Sequence, residues 1–186
     1  MKFKKKDFLF LLLFTFLVFN FFCKKIPVLD DKRLGPVYSL FISGGNYLNE
    51  KCIINPTPLS LEAKLFYLKN FSTKKIKFKE VENGFILKLD DYFLKAELKF
   101  DLTNHEESQK KWTKDELPIS CKFDDVMPDK YHIYPYLNIS VPMIDSTNRY
   151  AIVILDVPER GGGIQIFELR YGIWTQMFIS LGSWIY

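Results

Sequence analysis

The sequence predicts a mainly β domain built as an antiparallel β-sandwich, and three observations carry that expectation. Apolar residues in the long C-terminal part recur with a period of two rather than 3.6, the signature of half-buried strands. Asn83-Gly84 stands between two alternating runs, the strongest short-range signal for a hairpin. Tyr150 to Val157 is nearly all apolar, as a central strand covered on both faces must be. A β-barrel, or an α+β arrangement with one short helix, satisfies the same alternation and is the alternative.

The chain opens on Lys2, Lys4, Lys5 and Lys6 against Asp7, followed by an uncharged apolar stretch from Phe8 to Cys23. These residues account for +3 of the formal net charge of +4, and from Lys24 onward 22 basic residues face 21 acidic ones. The basic balance therefore belongs to the leader and makes no case for nucleic-acid binding, which needs a basic surface with stacking aromatics. Sixteen helical residues span about 24 Å, less than the roughly 30 Å hydrocarbon core of a bilayer. Basic residues, an apolar run of this length and a terminating cysteine with Lys24-Lys25 behind it follow the pattern of an export signal.

That arrangement resembles a bacterial lipoprotein leader of the spirochaetal envelope type. The resemblance implies that Cys23 is acylated, that residues 1–23 are leader or membrane anchor, and that the domain stands outside the cytoplasm, membrane-anchored in the cell envelope. Asn20-Phe21-Phe22-Cys23 departs from the usual box, with Phe22 where a small residue is expected. The bulky Phe and Leu side chains leave an uncleaved single-span anchor as the alternative, with Lys24 and Lys25 snorkelling to the headgroups.

Pro27, the charged Asp30-Asp31-Lys32-Arg33 and Gly35-Pro36 make residues 24–36 a tether, and residues 37–186 a single β-rich domain. The chain has three cysteines. With Cys23 assigned to lipid, Cys52 and Cys121 remain as a disulfide pair suited to an oxidising compartment, the alternative being two buried thiols.

Along the domain, Thr57-Pro58 offers a helix N-cap and a first-turn proline. Leu59, Leu61, Ala63, Leu65 and Tyr67, however, alternate with polar residues, so a strand is favoured there. Ile76 and Phe78 alternate with lysines up to the turn Glu82-Asn83-Gly84, and Phe85, Leu87 and Leu89 lead away from it. Tyr92, Leu94, Ala96, Leu98 and Phe100 give the clearest half-buried strand. The polar segment Thr103 to Glu116, with His105 and Trp112, reads as an exposed loop or short helix. Leu137, Ile139 and Val141 form another alternating run, and Tyr150–Val157, Ile164–Tyr171 and Ile173–Ser180 a meander. Lys69-Asn70, Ser72, Ile76 and Phe78 are similar to the early strands of bacterial immunoglobulin-like domains, which implies an immunoglobulin-like sandwich. The antibody-type Cys…Trp…Cys spacing is not present.

Chemistry-bearing residues are few. His105 and His132 are the two histidines, and no nucleophile elbow, zinc-protease helix motif or P-loop occurs, so no catalytic residue, cofactor or metal is assigned. Asp124, Asp125 and Asp129 could share a cation, yet Asp at a strand end ordinarily serves a turn. Arg160 with Gly161, Gly162 and Gly163 reads as a flexible hairpin tip able to meet a partner. Tyr171, Trp174, Phe178, Trp184 and Tyr186 read mainly as core, with an exposed aromatic patch for a ligand or a membrane surface as the alternative. The function expected is thus an envelope-anchored binding or structural module whose protein or small-molecule partner the sequence does not specify. A small carrier holding an apolar ligand inside a barrel is the alternative.

Overall fold

The computed structural model describes residues 31–43, 52–70, 76–90, 95–103, 110–117, 121–126, 135–158 and 160–184; side chains are described at these positions except at Ser43 and 178–184. The leader with Cys23, the histidines His105 and His132, and Asp129 lie outside the described residues. Among the described residues no helix is long and apolar enough to cross a membrane.

The protein is mainly β, with two sheets and two helices among the described residues. Helix α1 spans Gly35–Ser43, and β1 is Ile53–Ile54. Helix α2 spans Leu61–Asn70, and β2 (Ile76–Val81), β3 (Gly84–Asp90) and β4 (Lys95–Asp101) follow it. The remaining strands are β5 (Lys122–Phe123), β6 (Tyr136–Ile139), β7 (Met143–Ile144), β8 (Tyr150–Val157), β9 (Gly161–Arg170) and β10 (Ile173–Trp184).

The small sheet is the antiparallel meander β2-β3-β4. Its first turn is the residue pair Glu82-Asn83, with Asn83 at φ 60° and Val81 opposite Gly84. Gly84 is required by packing rather than by the turn, because a Cβ there would stand 2.0 Å from the Phe100 carbonyl oxygen on β4. That closeness lets the Phe85 and Phe100 rings stack with centroids 4.6 Å apart.

The large sheet runs β10-β9-β8-β6-β1-β5, with β7 also paired to β8. It is mixed rather than wholly antiparallel, because β1 is parallel to both β5 and β6. Among the described residues the strands fall into two sheets, joined by one antiparallel bridge from Phe100 of β4 to Asp145 just after β7. The central strand β8 explains their assembly. Ala151 and Val153 on one face join Val37, Leu40, Phe41, Trp112, Leu137 and Phe167 in a core beneath α1. Ile152 and Ile154 on the other join Phe85, Leu87, Leu98, Phe100, Ile164 and Ile166 between the sheets, with Leu68 of α2 closing that side.

Three local expectations are corrected. The span around Leu61 to Leu68 is a helix, since Leu61, Leu65 and Leu68 also match helical spacing, and packing on the sheet face decides between the periods. Residues 35–43 form a helix, so of the tether expected over 24–36 Gly35 and Pro36 belong to the fold; the helix is begun by Asp31, whose Oδ1 accepts the backbone N–H of Arg33 and Leu34 at 2.7 Å each. Trp112, expected in an exposed segment, is core: its indole N–H donates to the Ile139 carbonyl at 3.2 Å, and the Arg33 guanidinium lies 4.3 Å from its ring. The edge of β10 is also covered, the Ser39 hydroxyl of α1 donating to the Trp174 carbonyl.

Candidate functional site

Three polar features rise above the packed core, and each is set by the strand ladder. The first lies at the end of the large sheet beside Lys32. Asp145, just after β7, is buried, and its two oxygens accept four donors within the loop. Oδ1 takes the N–H of Arg149 at 2.9 Å and of Tyr150 at 2.7 Å, while Oδ2 takes the Thr147 N–H at 3.1 Å and hydroxyl at 2.6 Å. The loop thus held presents Asn148, whose Oδ1 accepts the Lys32 ammonium at 2.7 Å, and Arg149.

Register then brings Glu168 opposite Tyr150, beside Arg149. Arg149 donates through Nε at 3.0 Å and Nη2 at 2.6 Å to Glu168 Oε1, and Arg170 donates through Nε at 2.6 Å to Oε2. The Glu168 side chain is 5% exposed, whereas Arg149 and Arg170 are 63% and 56% exposed. Burial works against ionising Glu168, but the hydrogen bonds and charges of the two arginines prevail and hold its carboxyl below the usual range. One buried carboxylate therefore orients two outward guanidinium groups. Immediately beyond them Tyr171-Gly172 forms the β9–β10 turn, at φ 52° and 77°. Tyr171 is fully exposed and Ile173 is nearly half exposed.

The second feature is a row across β1, β6 and β8. The Asn55 amide donates to Asn138 Oδ1 at 3.0 Å, and the Asn138 amide donates to Asp156 Oδ2 at 3.1 Å. Asn55 Oδ1 also accepts the Thr57 N–H at 2.9 Å, and such side-chain pairing suits a structural ladder. The third is Lys64, wholly buried on α2, where loss of hydration pushes its pKa down to about 7.

The residues singled out from sequence are dispersed. Cys52 and Cys121 form a disulfide, facing each other just ahead of the parallel pair β1 and β5. Gly161, Gly162 and Gly163 are paired along β8 inside β9 rather than forming a tip, opposite Val157, Asp156 and Leu155; Arg160 occupies the preceding turn and is exposed. Asp124 Oδ1 accepts the Val126 N–H at 2.9 Å, an ordinary turn contact, and Asp125 pairs with Lys111 at 3.2 Å. The C-terminal aromatics divide, Trp174 being core and Tyr171 solvent-facing, with Tyr186 and the side chains of Phe178 and Trp184 outside the described part. Sequence reading missed the Arg149–Glu168–Arg170 cluster because its members come from separate strands and share no motif. The one available signal was an aromatic, Tyr171, in a two-residue turn before Gly172.

No protein-family model, curated protein or solved structure matches this chain.

Proposed function

We propose that the protein is an envelope-anchored binding or structural module, held to a membrane through Cys23 or its apolar leader with the domain outside the cytoplasm. The observation that carries this reading is the Cys52–Cys121 disulfide. Disulfides persist in oxidising compartments, so the bridge favours an exported domain. It also leaves Cys23, the remaining cysteine of the sequence, at the end of the apolar stretch as the group available for lipid. A binding or structural role suits a core of two packed sheets on which the buried Glu168 holds Arg149 and Arg170 outward. The immunoglobulin-like comparison belongs to this proposal as a statement of architecture alone.

The test is the intact mass of the membrane-extracted protein, measured before and after reduction. A mass of residues 23–186 carrying acyl chains supports the lipoprotein form, and a gain of two hydrogens on reduction reports the bridge. A full-length mass in the membrane fraction replaces lipid by an uncleaved anchor. Recovery of unmodified chain in the cytoplasmic fraction overturns the proposal.

A further inference from the structure

We propose that β2 is a docking edge for an extended acidic peptide, which adds to the small sheet as a further strand with carboxylates at alternate positions opposite Lys77 and Lys79. The inference rests on the binding role proposed above, whose partner class it names, and not on the membrane attachment.

The backbone supplies the first observation. Among the described residues the small sheet is ordered β2-β3-β4, so β2 is paired on one side. The other sheet edges are met or short. The Ser39 hydroxyl of α1 reaches β10, and the Ser146 N–H donates to the Lys99 carbonyl on β4 at 2.7 Å. Strand β5 is 2 residues long against 6 for β2. Val81 and Gly84 flank a two-residue turn and exchange both ladder hydrogen bonds, and by alternation so do Lys79 with Ile86 and Lys77 with Lys88. The N–H and C=O groups of Phe78 and Glu80 therefore point away from β3, and among the described residues no other group bonds them. A row of this kind is what an added strand pairs with.

The side chains supply the second. Lys77 and Lys79 are exposed on the outer face of β2, and register sets Lys77 directly opposite the exposed Lys88 on β3. Like charges at that spacing repel. The same face carries Lys95 and Lys99 against Asp90, Glu97 and Asp101. Lys95 pairs with Asp90 at 3.7 Å, Lys99 with Glu97 at 3.9 Å, and Asp101 accepts the N–H and hydroxyl of Thr103. Glu80 shares the core face with Phe85, where it pairs with Lys69 at 2.7 Å. Even with Glu82 of the turn counted, lysines outnumber carboxylates on the outer face. The excess is concentrated at Lys77, Lys79 and Lys88, which form no ion pair among the described residues.

Together these observations select the occupant. Alternate residues of β2 repeat every 6.7 Å or so (roughly twice the rise of a strand residue), the spacing of alternate side chains in any extended peptide. Residues directly across a strand pair have Cβ atoms about 5 Å apart. Carboxylates at alternate positions thus meet Lys77 and Lys79, and the residue between them falls beside the half-buried Phe78 on the core face. A second copy does not fit, because two β2 strands paired antiparallel about Phe78 set Lys77 of each against Lys79 of the other. Edge lysines do guard against such self-pairing, but that needs charge on the edge strand alone, and Lys88 lies on the central one.

The experiment uses the full chain in detergent micelles and a fluorescein-labelled peptide of alternating glutamate and valine, followed by anisotropy. Support is binding that a peptide of the same composition with its glutamates in one block does not reproduce. Binding should weaken about tenfold or more in the Lys77→Glu/Lys79→Glu chain, whose near-ultraviolet circular dichroism reports that it is folded. Two further peptides, methylated on the backbone nitrogens of the valines or of the glutamates, each lose the donors of one strand edge at unchanged charge. One of them should lose binding and the other keep it. Hydrogen exchange in the unsubstituted chain reads the edge without any substitution, and slower exchange of amides 78 and 80 with peptide supports the proposal. If both methylated peptides bind like the parent, or heparin binds with no change at those amides while the peptide does not, the strand proposal is overturned in favour of a polyanion held by charge alone. If neither peptide nor heparin binds, the docking edge is overturned, and the anchored reading, which the intact mass decides, stands.

Discussion

Lys64 makes the stability of this protein depend on pH in a direction opposite to that of an ion-paired lysine. The residue lies four positions before Leu68 on the face that α2 buries, and it is fully enclosed. Loss of hydration lowers its pKa from 10.5 to about 7. Above the folded value the native state holds the amine neutral, while the unfolded chain keeps it protonated up to its ordinary value. Folding then releases a proton, so stability rises with pH between the two values, by up to about 1.4 kcal/mol per unit. From about pH 7.5 to about 9.5 the gain amounts to roughly 2.5 kcal/mol, or a rise in thermal midpoint of about 5–10 °C. The window must end below the range in which tyrosines ionise in the unfolded chain. Burial pushes Tyr38, Tyr136 and Tyr150 up in the fold, so their stabilising effect fades at still higher pH. The assay is equilibrium urea unfolding followed by near-ultraviolet circular dichroism, with the disulfide intact. Lys64→Met keeps an unbranched side chain, one heavy atom shorter, and cannot titrate, so its profile should be flat over the window. An unsubstituted protein whose stability is constant or falls from pH 7.5 to 9.5, or a Met variant with an undiminished slope, would refute the reasoning.

Other perturbations test separate parts of the structure. Gly84→Ala places a methyl group 2.0 Å from the Phe100 carbonyl oxygen, and because backbone must move to admit it, unfolding experiments should register a loss of about 3 kcal/mol or more. Replacing Cys52 and Cys121 together by alanine opens a loop of sequence separation 69 and should lower stability by about 4 kcal/mol, seen as a fall in denaturation midpoint that matches the effect of reductant on the unsubstituted protein. Glu168→Gln weakens its bonds to two half-exposed arginines and should lose roughly 1 kcal/mol at neutral pH. Because the Glu168 carboxyl titrates below its ordinary value, the stability it supplies is present above the ordinary carboxylate range and is lost as pH falls through the folded value. An acid-unfolding series should therefore show a smaller difference between variant and parent as pH drops.

Much of the β architecture is legible in the residues themselves. Phe85, Leu87 and Leu89 on β3 and Leu98 and Phe100 on β4 alternate, Ile86 apart, with polar neighbours and are buried accordingly, since successive side chains of a strand face opposite ways. Tyr150 to Val157 is apolar except at Asp156 and is covered on both sides, one face by α1 and the other by the small sheet. The aromatic tail is partly legible, as Trp174 is core and Tyr171 is not. Elsewhere local pattern was insufficient. Leu61 to Leu68 fits two periods, and Trp112 sits among lysines and acids that conceal its burial. A triple glycine reads as a loop until a partner strand stands beside it, and β8 supplies that partner through Asp156 and Leu155.

The sequence by itself determined that this is a β-rich chain with a Cys52–Cys121 pair able to bridge, because hydrophobic period and residue chemistry are local properties. Only the tertiary structure decided that β1 joins β5 and β6 in parallel, setting those cysteines face to face. It alone brought Arg149, Glu168 and Arg170 together, with Lys32 on the neighbouring Asn148. Strand order and register are settled by which buried faces can cover one another, a competition among distant segments that no single stretch of sequence records.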